Sequence, residues 1–318
     1  MTLTDSTKGS MHIGETTFDW GTKTFVMGVL NVTPDSFSRD GVGTDVERAV
    51  EQALRFQEWG ADIIDIGGES TRPASIYPDS EMVSVVDELD RVLPVIEALT
   101  HLLEIPISID TYKSEVATQA IASGAEIVND VWGLTRDPDI GAVIAKSGVP
   151  VILTHNQAHT RYRDVVPDVF GRLHELTQNA IELGISKENI ILDPGMGFGK
   201  TAQHNLQILR RLREFDALGL PLLVGMSRKS TIGYVLDLPV DDRIEGTAAT
   251  VAISIANGAD IDQVSGGDGT SPMVIAIANG HYSVAQFLLD QAANPNLLNI
   301  DGLGPLYATV NMRFASVS

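Results

Sequence analysis

Three polar side chains stand where short apolar segments of the chain end, and their types suit a flat heterocyclic ligand. Asp110 and Asp193 offer hydrogen-bond acceptors, and Asn129 offers both donors and acceptors. Such a set matches the fused donor and acceptor edge of an amino-pyrimidinone ring. We therefore predict that these three residues meet around a planar, nitrogen-rich ligand.

Basic side chains follow other apolar segments of the chain. Arg72, Lys200, Arg228 and Lys229 are the clustered cations expected in loops on the same side of the molecule. Positive groups of this kind suit an anionic leaving group or a carboxylate. The stretch "SRKS" at 227–230 is equally consistent with an ordinary solvated basic turn, so by itself it does not decide between the two interpretations.

The segment "MGVLNVTPDSFSRDG" at 27–41 runs from an apolar strand straight into a polar loop. A loop that only connects two elements needs about two to six residues and tolerates many turn formers. This loop gathers amide, hydroxyl and carboxylate groups from Asn31 onward. It is therefore either a long surface turn or a binding loop.

The glycine-rich stretch "DPGMGFGKT" at 193–201 imitates a phosphate-binding loop. The Walker A pattern requires a glycine where this chain has Pro194, which excludes that motif. The glycines instead let the backbone pass close to a ligand behind Asp193. Phe198 is then available as an apolar wall.

Short β-branched segments alternate with longer amphipathic ones seven times. The short segments are continuous apolar runs, which is typical of parallel strands buried on both faces. Seven such units and an eighth strand predict an α/β fold of the (β/α)8 TIM-barrel type. A doubly wound open sheet is the alternative, but its glycine fingerprint is missing from the first βα turn. The predicted strands are 24–30, 61–67, 105–110, 126–130, 149–154, 189–193 and 221–225, and the predicted helices are 45–59, 80–99, 113–123, 139–147, 166–183, 206–213 and 245–257.

The polar residues all follow predicted strands, at their carboxyl ends. In a barrel these ends meet on one face, which is where such folds place their chemistry. A single Asp or Asn at such a position is more simply explained as a helix N-cap. Capping alone poorly explains seven such positions in succession, so the pattern predicts one active face. The positions begin at Asn31, Gly67, Asp110, Asn129, Thr154, Asp193 and Ser227.

Composition narrows the function classes. The chain has 42 acidic and 22 basic side chains and a formal net charge of −20, which argues against nucleic acid or an anionic membrane surface as a partner. It contains no cysteine, which excludes disulfides, thiolate nucleophiles and cysteine-based zinc sites. The lack of cysteine, with an N-terminus that has no apolar signal segment, predicts a cytoplasmic protein.

Six motifs occur in the order "MGVLNVTPDSFS", "ADIIDIGGESTRP", "ISIDTYKSEV", "EIVNDVWG", "LDPGMGFGKT" and "LLVGMSRKS". They resemble those of the dihydropteroate synthase family, the pterin-binding barrel enzymes of folate biosynthesis, over residues 20–261. The resemblance implies a transferase that condenses 6-hydroxymethyl-7,8-dihydropterin diphosphate with p-aminobenzoate to give 7,8-dihydropteroate and diphosphate. It also implies assistance by Mg²⁺ and, as partners, the two small-molecule substrates and a second copy in a homodimer.

The same resemblance assigns roles to individual residues. Asn31 would open the family's first mobile loop and help to hold the magnesium ion and the diphosphate. The expected p-aminobenzoate contacts are Thr71, Arg72 and Pro73 of the second loop, together with Phe198 and Ser227. The expected pterin contacts are Asp110, Asn129, Asp193 and Lys229. Further substrate contacts are expected at Gly225 and Arg228. Of these residues, Asn31, Asp110, Asp193 and Lys229 are expected to carry catalysis.

The likeness to the family breaks down near residue 262. Family members end strand 8 with Arg-Val-His-Asp, whose Arg and His bind the diphosphate, whereas Gln263 and Ser265 stand at those positions here. The segment that follows resembles an ankyrin repeat, because the Asp-Gly pair at 268 recurs at 301, and 301 − 268 = 33 is the ankyrin period. We predict an N-terminal extension (1–19), a barrel domain (20–265) with an atypical strand 8 and helix 8, and an ankyrin-like helical segment (266–318) that contacts protein.

Two interpretations from different classes therefore stand. The first is a working dihydropteroate synthase, and the second is an inactive or impaired pterin-binding barrel that acts as an interaction protein through its ankyrin-like tail. A pterin-dependent methyltransferase of the same fold is a third, which "NVTPDSF", "GGESTRP" and "SRKS" disfavour. Diphosphate release that depends on p-aminobenzoate separates the first two.

Overall fold

The computed structural model describes residues 9–33, 45–69, 83–239 and 242–256. Within these ranges the chain forms eight strands, eight α-helices and two short 3-10 helices. Several predicted features lie outside them, namely the first polar loop beyond Thr33, the second-loop residues Thr71, Arg72 and Pro73, the eighth strand with Gln263 and Ser265, and the ankyrin-like segment.

Six parallel strands form one sheet in chain order. They are β3 (Met27–Asn31), β4 (Ile63–Gly67), β5 (Ile107–Asp110), β6 (Ile127–Asp130), β7 (Val151–Thr154) and β8 (Ile190–Asp193). All six overlap predicted segments, and β4, β6 and β7 are buried at every position, as expected of strands covered on both faces. A sheet whose parallel strands follow chain order, with helices between them, is the α/β arrangement of a TIM barrel.

The seventh predicted strand, 221–225, appears as a single parallel bridge between Leu222 and Leu192. The Leu192 N–H donates to the Pro221 carbonyl at 2.9 Å, and the Leu223 N–H donates to the Leu192 carbonyl at 2.8 Å. The segment therefore lies beside β8 and continues the strand order by one position, although its ladder is too short for a full strand.

The helices follow the strands, and neighbouring helices from α1 to α4 pack against one another. Their bounds are α1 Val46–Glu58, α2 Val85–Leu99, α3 Ser114–Ala122, α4 Ile140–Ser147, α5 Val165–Glu182, α6 Ala202–Arg210, α7 Ser230–Leu236 and α8 Ile244–Ala256. Helix α6 begins earlier than predicted because the Thr201 hydroxyl accepts from the His204 N–H, and the His204 ring accepts from the Thr201 N–H. Helix α7 was not predicted.

An antiparallel hairpin precedes the barrel, where only an extension was predicted. It consists of β1 (Ser10–Ile13) and β2 (Thr16–Asp19). Its buried side chains Met11, Ile13 and Phe18 share one core cluster with residues near the amino ends of the sheet strands, namely Ile63, Ile127, Ile152 and Ile191. The hairpin therefore closes the end of the barrel opposite to the carboxyl ends of the strands.

Candidate active site

The carboxyl ends of neighbouring strands bring several predicted site residues into one row. Asn31, Gly67, Asp110 and Asn129 pair in register across β3, β4, β5 and β6. Residues in register on parallel strands point to the same face of the sheet. On β7 the register partner of Asn129 is Ile152, and Thr154, two residues further along the same face, pairs with Asp193 on β8. These two residues extend the polar row around the sheet.

Three buried side-chain oxygens in or beside this row have no hydrogen-bond partner within the described residues. They are Asp110 Oδ1, Asn129 Oδ1 and Thr154 Oγ1. Leaving a buried polar atom unpaired costs about 1–3 kcal/mol, so folded proteins seldom do it without a functional reason. A concentration of unpaired acceptors at one edge of the sheet indicates a surface suited to the hydrogen-bond donors of a ligand.

Asp65 is a buried carboxylate beside these residues that the sequence interpretation missed. It lies within β4, is 3% exposed, and its Oδ2 accepts from Asn129 Nδ2 at 3.1 Å. Because the amide nitrogen of Asn129 is held by Asp65, the amide oxygen of Asn129 is the atom left for a ligand. Burial raises the pKa of Asp65 to about 6. A carboxylate inside the apolar run "ADIIDIG" is the signal that could have identified it.

The carboxyl group of Asp110 has an unusual electrostatic setting. Its pKa is raised well above the ordinary value, first by burial and then by the negative charges of Asp65, Glu88 and Asp130. Asp130 itself is structural, because its carboxylate accepts from the N–H groups of Trp132 and Leu134. A hydrogen-bond donor or a positive charge on a ligand beside Asp110 would therefore favour its ionised form.

Asp193 lies at the end of β8 and opens the glycine-rich loop. Its Oδ1 accepts from the Gly195 N–H at 2.7 Å, which fixes the carboxylate. Burial raises the pKa of Asp193, and the charges of Lys229 and Lys200 oppose that rise. Gly195 has φ +70°, and a Cβ there would lie 1.9 Å from the His155 carbonyl oxygen, so only glycine fits this turn.

Lys200 does not act as the loop cation that the sequence suggested. It is 6% exposed, and its ammonium donates to the carbonyls of Gly195 and Phe198, both at 3.0 Å, and to His155 Nδ1 at 2.8 Å. Burial lowers the pKa of Lys200 to about 7, and burial together with Lys200 lowers the pKa of His155 to about 3. The neutral His155 ring accepts a hydrogen bond from the Lys200 ammonium. Lys200 therefore holds the glycine-rich loop in place through hydrogen bonds on the buried side of that loop.

Lys229 and Phe198 approach each other beside Asp193. The Lys229 ammonium lies 5.0 Å from the centroid of the Phe198 ring, a cation–π distance. A Cβ on Gly197 would lie 3.3 Å from Lys229 Cδ, so the missing side chain leaves room for the lysine side chain. The structure thus brings a cation, an aromatic wall and a carboxylate to the β8 side of the polar row.

The residues just before Lys229 are positioned through the backbone. The Arg228 N–H donates to Thr247 Oγ1 at 3.0 Å, and the Arg228 carbonyl accepts from Arg243 at 3.1 Å. Arg228 has φ +53°, which is uncommon outside glycine and is often found at functional sites. Ser227 is exposed and Gly225 is half-buried. These contacts tie the segment to α8 and to the turn before it.

The described residues offer few groups for a metal ion and no helix that could cross a membrane. No group of three or more His, Asp or Glu side chains that could hold a metal ion occurs among them. Asn31 offers one amide oxygen at the end of β3. That fits Mg²⁺, which prefers oxygen ligands and keeps several waters or substrate phosphate oxygens around it. No helix in the described ranges has the length and apolar character needed to cross a bilayer.

Comparison with known proteins identifies two families along the chain. The family described as pterin binding enzyme matches residues 27–265. The ankyrin repeat family matches residues 268–300, in agreement with the ankyrin-like resemblance of the tail.

Individual relatives agree with the larger match. Dihydropteroate synthase of Clostridium beijerinckii is 48% identical over 245 residues, which is 77% of this chain and 89% of that protein. The structure of dihydropteroate synthase from Xanthomonas albilineans in complex with 7,8-dihydropteroate superimposes with a TM-score of 0.70 and 40% identity over 79% of this chain and 90% of that one. A structure of the Xanthomonas albilineans enzyme with 4-aminobenzoic acid gives a TM-score of 0.70 and 42% identity over 75% and 86%.

These matches extend over most of the barrel and over nearly the whole length of the relatives. They include all six motifs and every residue of the polar row. The chain therefore belongs to the dihydropteroate synthase family of pterin binding enzymes.

Proposed function

We propose that this chain catalyses the condensation of 6-hydroxymethyl-7,8-dihydropterin diphosphate with p-aminobenzoate, giving 7,8-dihydropteroate and diphosphate. The observation that carries the proposal is the row of buried, unpaired acceptors at the carboxyl edge of the sheet, with Lys229 and Phe198 beside it. A pterin ring presents several N–H donors along one edge, which such a row can satisfy. The likeness to relatives whose structures hold 7,8-dihydropteroate or 4-aminobenzoic acid supports it.

The pterin is held by Asp110, Asn129 and Asp193 in this proposal. Asn129 presents its amide oxygen, since Asp65 holds its nitrogen. Asp193 presents its second carboxylate oxygen, since Gly195 occupies the first. Lys229 supplies positive charge next to Asp193. Asp65 does not contact the pterin itself, but its hydrogen bond to Asn129 fixes the orientation of the Asn129 amide.

The other substrate groups meet a second set of residues in this proposal. Phe198 and Ser227, with Thr71, Arg72 and Pro73, contact p-aminobenzoate, and Gly225 lets the backbone come close to the substrates. Asn31 would hold Mg²⁺ together with the diphosphate, and the metal ion would supply positive charge for the leaving group. Arg228 adds positive charge on the same side.

The reaction requires no protein nucleophile. The amine nitrogen of p-aminobenzoate forms a bond to the exocyclic methylene carbon of the pterin, the bond from that carbon to the diphosphate oxygen breaks, and the amine nitrogen loses a proton. Asp110 and Asp193 stabilise positive charge that spreads into the ring during this step. Lys229 and Arg228 favour departure of the leaving group.

A turnover assay on the full chain tests the proposal. We expect diphosphate release from the pterin substrate that depends on p-aminobenzoate and on Mg²⁺. Pterin binding without turnover would favour the second interpretation, an interaction protein with an ankyrin-like tail. Methyl transfer from a pterin cofactor without diphosphate chemistry would favour the third.

The altered end of the barrel predicts weakened turnover. Gln263 and Ser265 replace an Arg and a His that bind the leaving group in the family, and each charge-assisted contact is worth about 1.5–3 kcal/mol. The double change Gln263→Arg with Ser265→His should therefore raise turnover by about tenfold or more. Gln178→Arg, at an exposed position of α5, controls for added charge. No gain in a folded double variant would mean that residues 259–265 do not occupy the family position of strand 8.

Four further expectations accompany this function as proposals. They are the domain limits at 1–19, 20–265 and 266–318, a homodimer, a protein partner for the ankyrin-like segment, and a location in the cytoplasm. Gel filtration with light scattering tests the second, because a dimer has twice the chain mass of 34.1 kDa.

A further inference from the structure

One buried amide side chain links the glycine-rich loop at 193–201 to the segment that carries Lys229. Asn205 lies on α6 and is 2% exposed. Its Oδ1 accepts from the Gly197 N–H at 3.1 Å, and its Nδ2 donates to Thr231 Oγ1 at 2.7 Å. Thr231 is also buried and lies on α7, two residues after Lys229. Asn205 therefore bridges two segments that are far apart in the chain.

The direction of both bonds follows from the atoms involved. A backbone N–H can only donate, so the amide oxygen of Asn205 must face Gly197. The amide nitrogen is then turned towards Thr231, whose hydroxyl oxygen can accept. Both bonds are buried, so the loss of one partner leaves a polar atom that water does not readily satisfy. The two bonds therefore act together as a single bridge.

The glycine-rich loop depends on such side chains for its shape. Residues 194–201 form neither helix nor strand, so their backbone groups need partners outside regular structure. Lys200 donates to the carbonyls of Gly195 and Phe198 and supports the loop from its buried side. The Asn205 bridge adds support from α6 and α7. The loop is thus fixed both to the barrel and to the segment that follows β8 in space.

Two side chains of the candidate active site stand on either side of the bridge. Phe198 follows Gly197 directly, and its ring centroid lies 5.0 Å from the Lys229 ammonium. The backbone of Gly197 packs closely on Lys229, since a Cβ there would lie 3.3 Å from the lysine Cδ. A small displacement of the loop relative to α7 would therefore move the aromatic ring relative to the cation.

We propose that Asn205 is a positioning residue that fixes Phe198 relative to Lys229 for binding and reaction of the arylamine substrate. The inference rests on the proposed function, since that function assigns Phe198 to p-aminobenzoate and Lys229 to departure of the diphosphate. The pterin acceptors on β6 and β8 are held separately, by Asp65 and by the Gly195 N–H. Loss of the bridge should therefore affect the arylamine substrate more than the pterin.

The test uses the full chain and approaches the bridge from both ends. Asn205→Leu removes both bonds at nearly constant volume. Thr231→Val removes only the hydroxyl group, and Thr231→Ser keeps it. Asn179→Leu and Thr118→Val make the same chemical changes at exposed positions of α5 and α3 and are the matched controls. Thr231→Val carries the test by itself if Asn205→Leu does not fold.

Amide hydrogen exchange is the first readout. The peptide covering 195–199 should exchange about fivefold to tenfold faster in Thr231→Val than in the parent, because the acceptor of the Gly197 N–H has lost its own anchor. The substituted residue lies on another helix, so faster exchange in the loop reports the bridge through Asn205. Asn205→Leu should give at least the same increase, and Thr231→Ser and both controls should match the parent.

Steady-state kinetics and ligand binding give the second readout. In Asn205→Leu, kcat/KM for p-aminobenzoate should fall by about tenfold to a hundredfold, since a displacement of about 1 Å can cost that much, while the pterin Kd changes by less than about threefold. Thr231→Val should show the same difference between the two substrates at smaller size. Thr231→Ser should keep the parent values, because its hydroxyl can still accept from Asn205.

Unchanged exchange at 195–199 in folded Thr231→Val would overturn the proposal. So would equal losses for arylamine and pterin, which would indicate a general structural defect, and so would parent-unlike values in Thr231→Ser. The exchange measurement needs no activity. If the parent shows no turnover, exchange still decides whether Asn205 forms the bridge, and the missing turnover counts against the proposed function alone.

Discussion

The change Asp193→Asn isolates one carboxylate oxygen of the polar row. Oδ1 of Asp193 accepts from the Gly195 N–H at 2.7 Å, and an amide oxygen can keep that bond and the turn that depends on it. The second oxygen is replaced by an NH₂ group, which opposes any donor on the ligand. The substitution therefore removes the charge and one acceptor while the local fold is preserved.

The expected loss follows from the type of hydrogen bond. A bond from a ligand N–H to a charged acceptor is worth about 1.5–3 kcal/mol, which corresponds to a roughly 10-fold to 150-fold rise in the pterin Kd. Titration calorimetry with a pterin ligand measures this change. Urea unfolding should show little difference, because the Gly195 contact survives.

Asp90→Asn serves as the matched control, since it makes the same chemical change at an exposed position on α2. Its pterin Kd should equal that of the parent. If folded Asp193→Asn also binds the pterin within a factor of two of the parent, Asp193 does not contact the ligand. The placement of the pterin at the β8 side of the row would then be refuted.

Three other predictions concern catalysis, acid sensitivity and the closed end of the barrel. Lys229→Ala should lower kcat by about 10²-fold, because a cation beside Asp193 is lost, and equal steady-state turnover would contradict it. Burial holds the pKa of His155 near 3, below the usual 6.5, so the unfolded chain takes up the proton first as the pH falls. Between pH 8 and 5 the parent should therefore lose about 2 kcal/mol of unfolding free energy, and His155→Gln should not lose it. In urea titrations the control variant His174→Gln, changed at an exposed site on α5, should behave as the parent does. Phe18→Ala should cost about 3–5 kcal/mol in urea unfolding, since Phe18 is fully buried against Phe25 and Trp20, and a cost under 1 kcal/mol would count against the packing described.

The strands and most helices were predictable because their signals are local. The run at 61–67 is short, rich in isoleucine and ends at a glycine, which favours a buried parallel strand, and the observed β4 falls inside that run. The hairpin was missed because each strand has only four residues and its burial depends on partners far along the chain. Helix α7 was missed for the same reason, since seven residues carry little periodicity.

The site was predictable where residue type and strand position agree. Asp110, Asn129 and Asp193 stand at strand ends, and the structure places all three at one edge. Asp65 could not be assigned from its position inside an apolar run, because its relation to Asn129 depends on the register of the sheet. The role of Lys200 also depends on tertiary packing, since nothing in "GFGKT" shows that its charge is turned inward onto carbonyl oxygens.

The hairpin at the closed end of the barrel has a consequence for how the chain folds. Its partners in the shared core include Ile127, Ile152 and Ile191, so the hairpin is synthesised long before the residues that it needs in order to bury Met11, Ile13 and Phe18. Contacts of such long sequence separation form slowly, and apolar surface is exposed until they form. Docking of residues 10–19 is therefore a late event in folding, and the nascent chain is most prone to aggregation in the interval before β8 is complete.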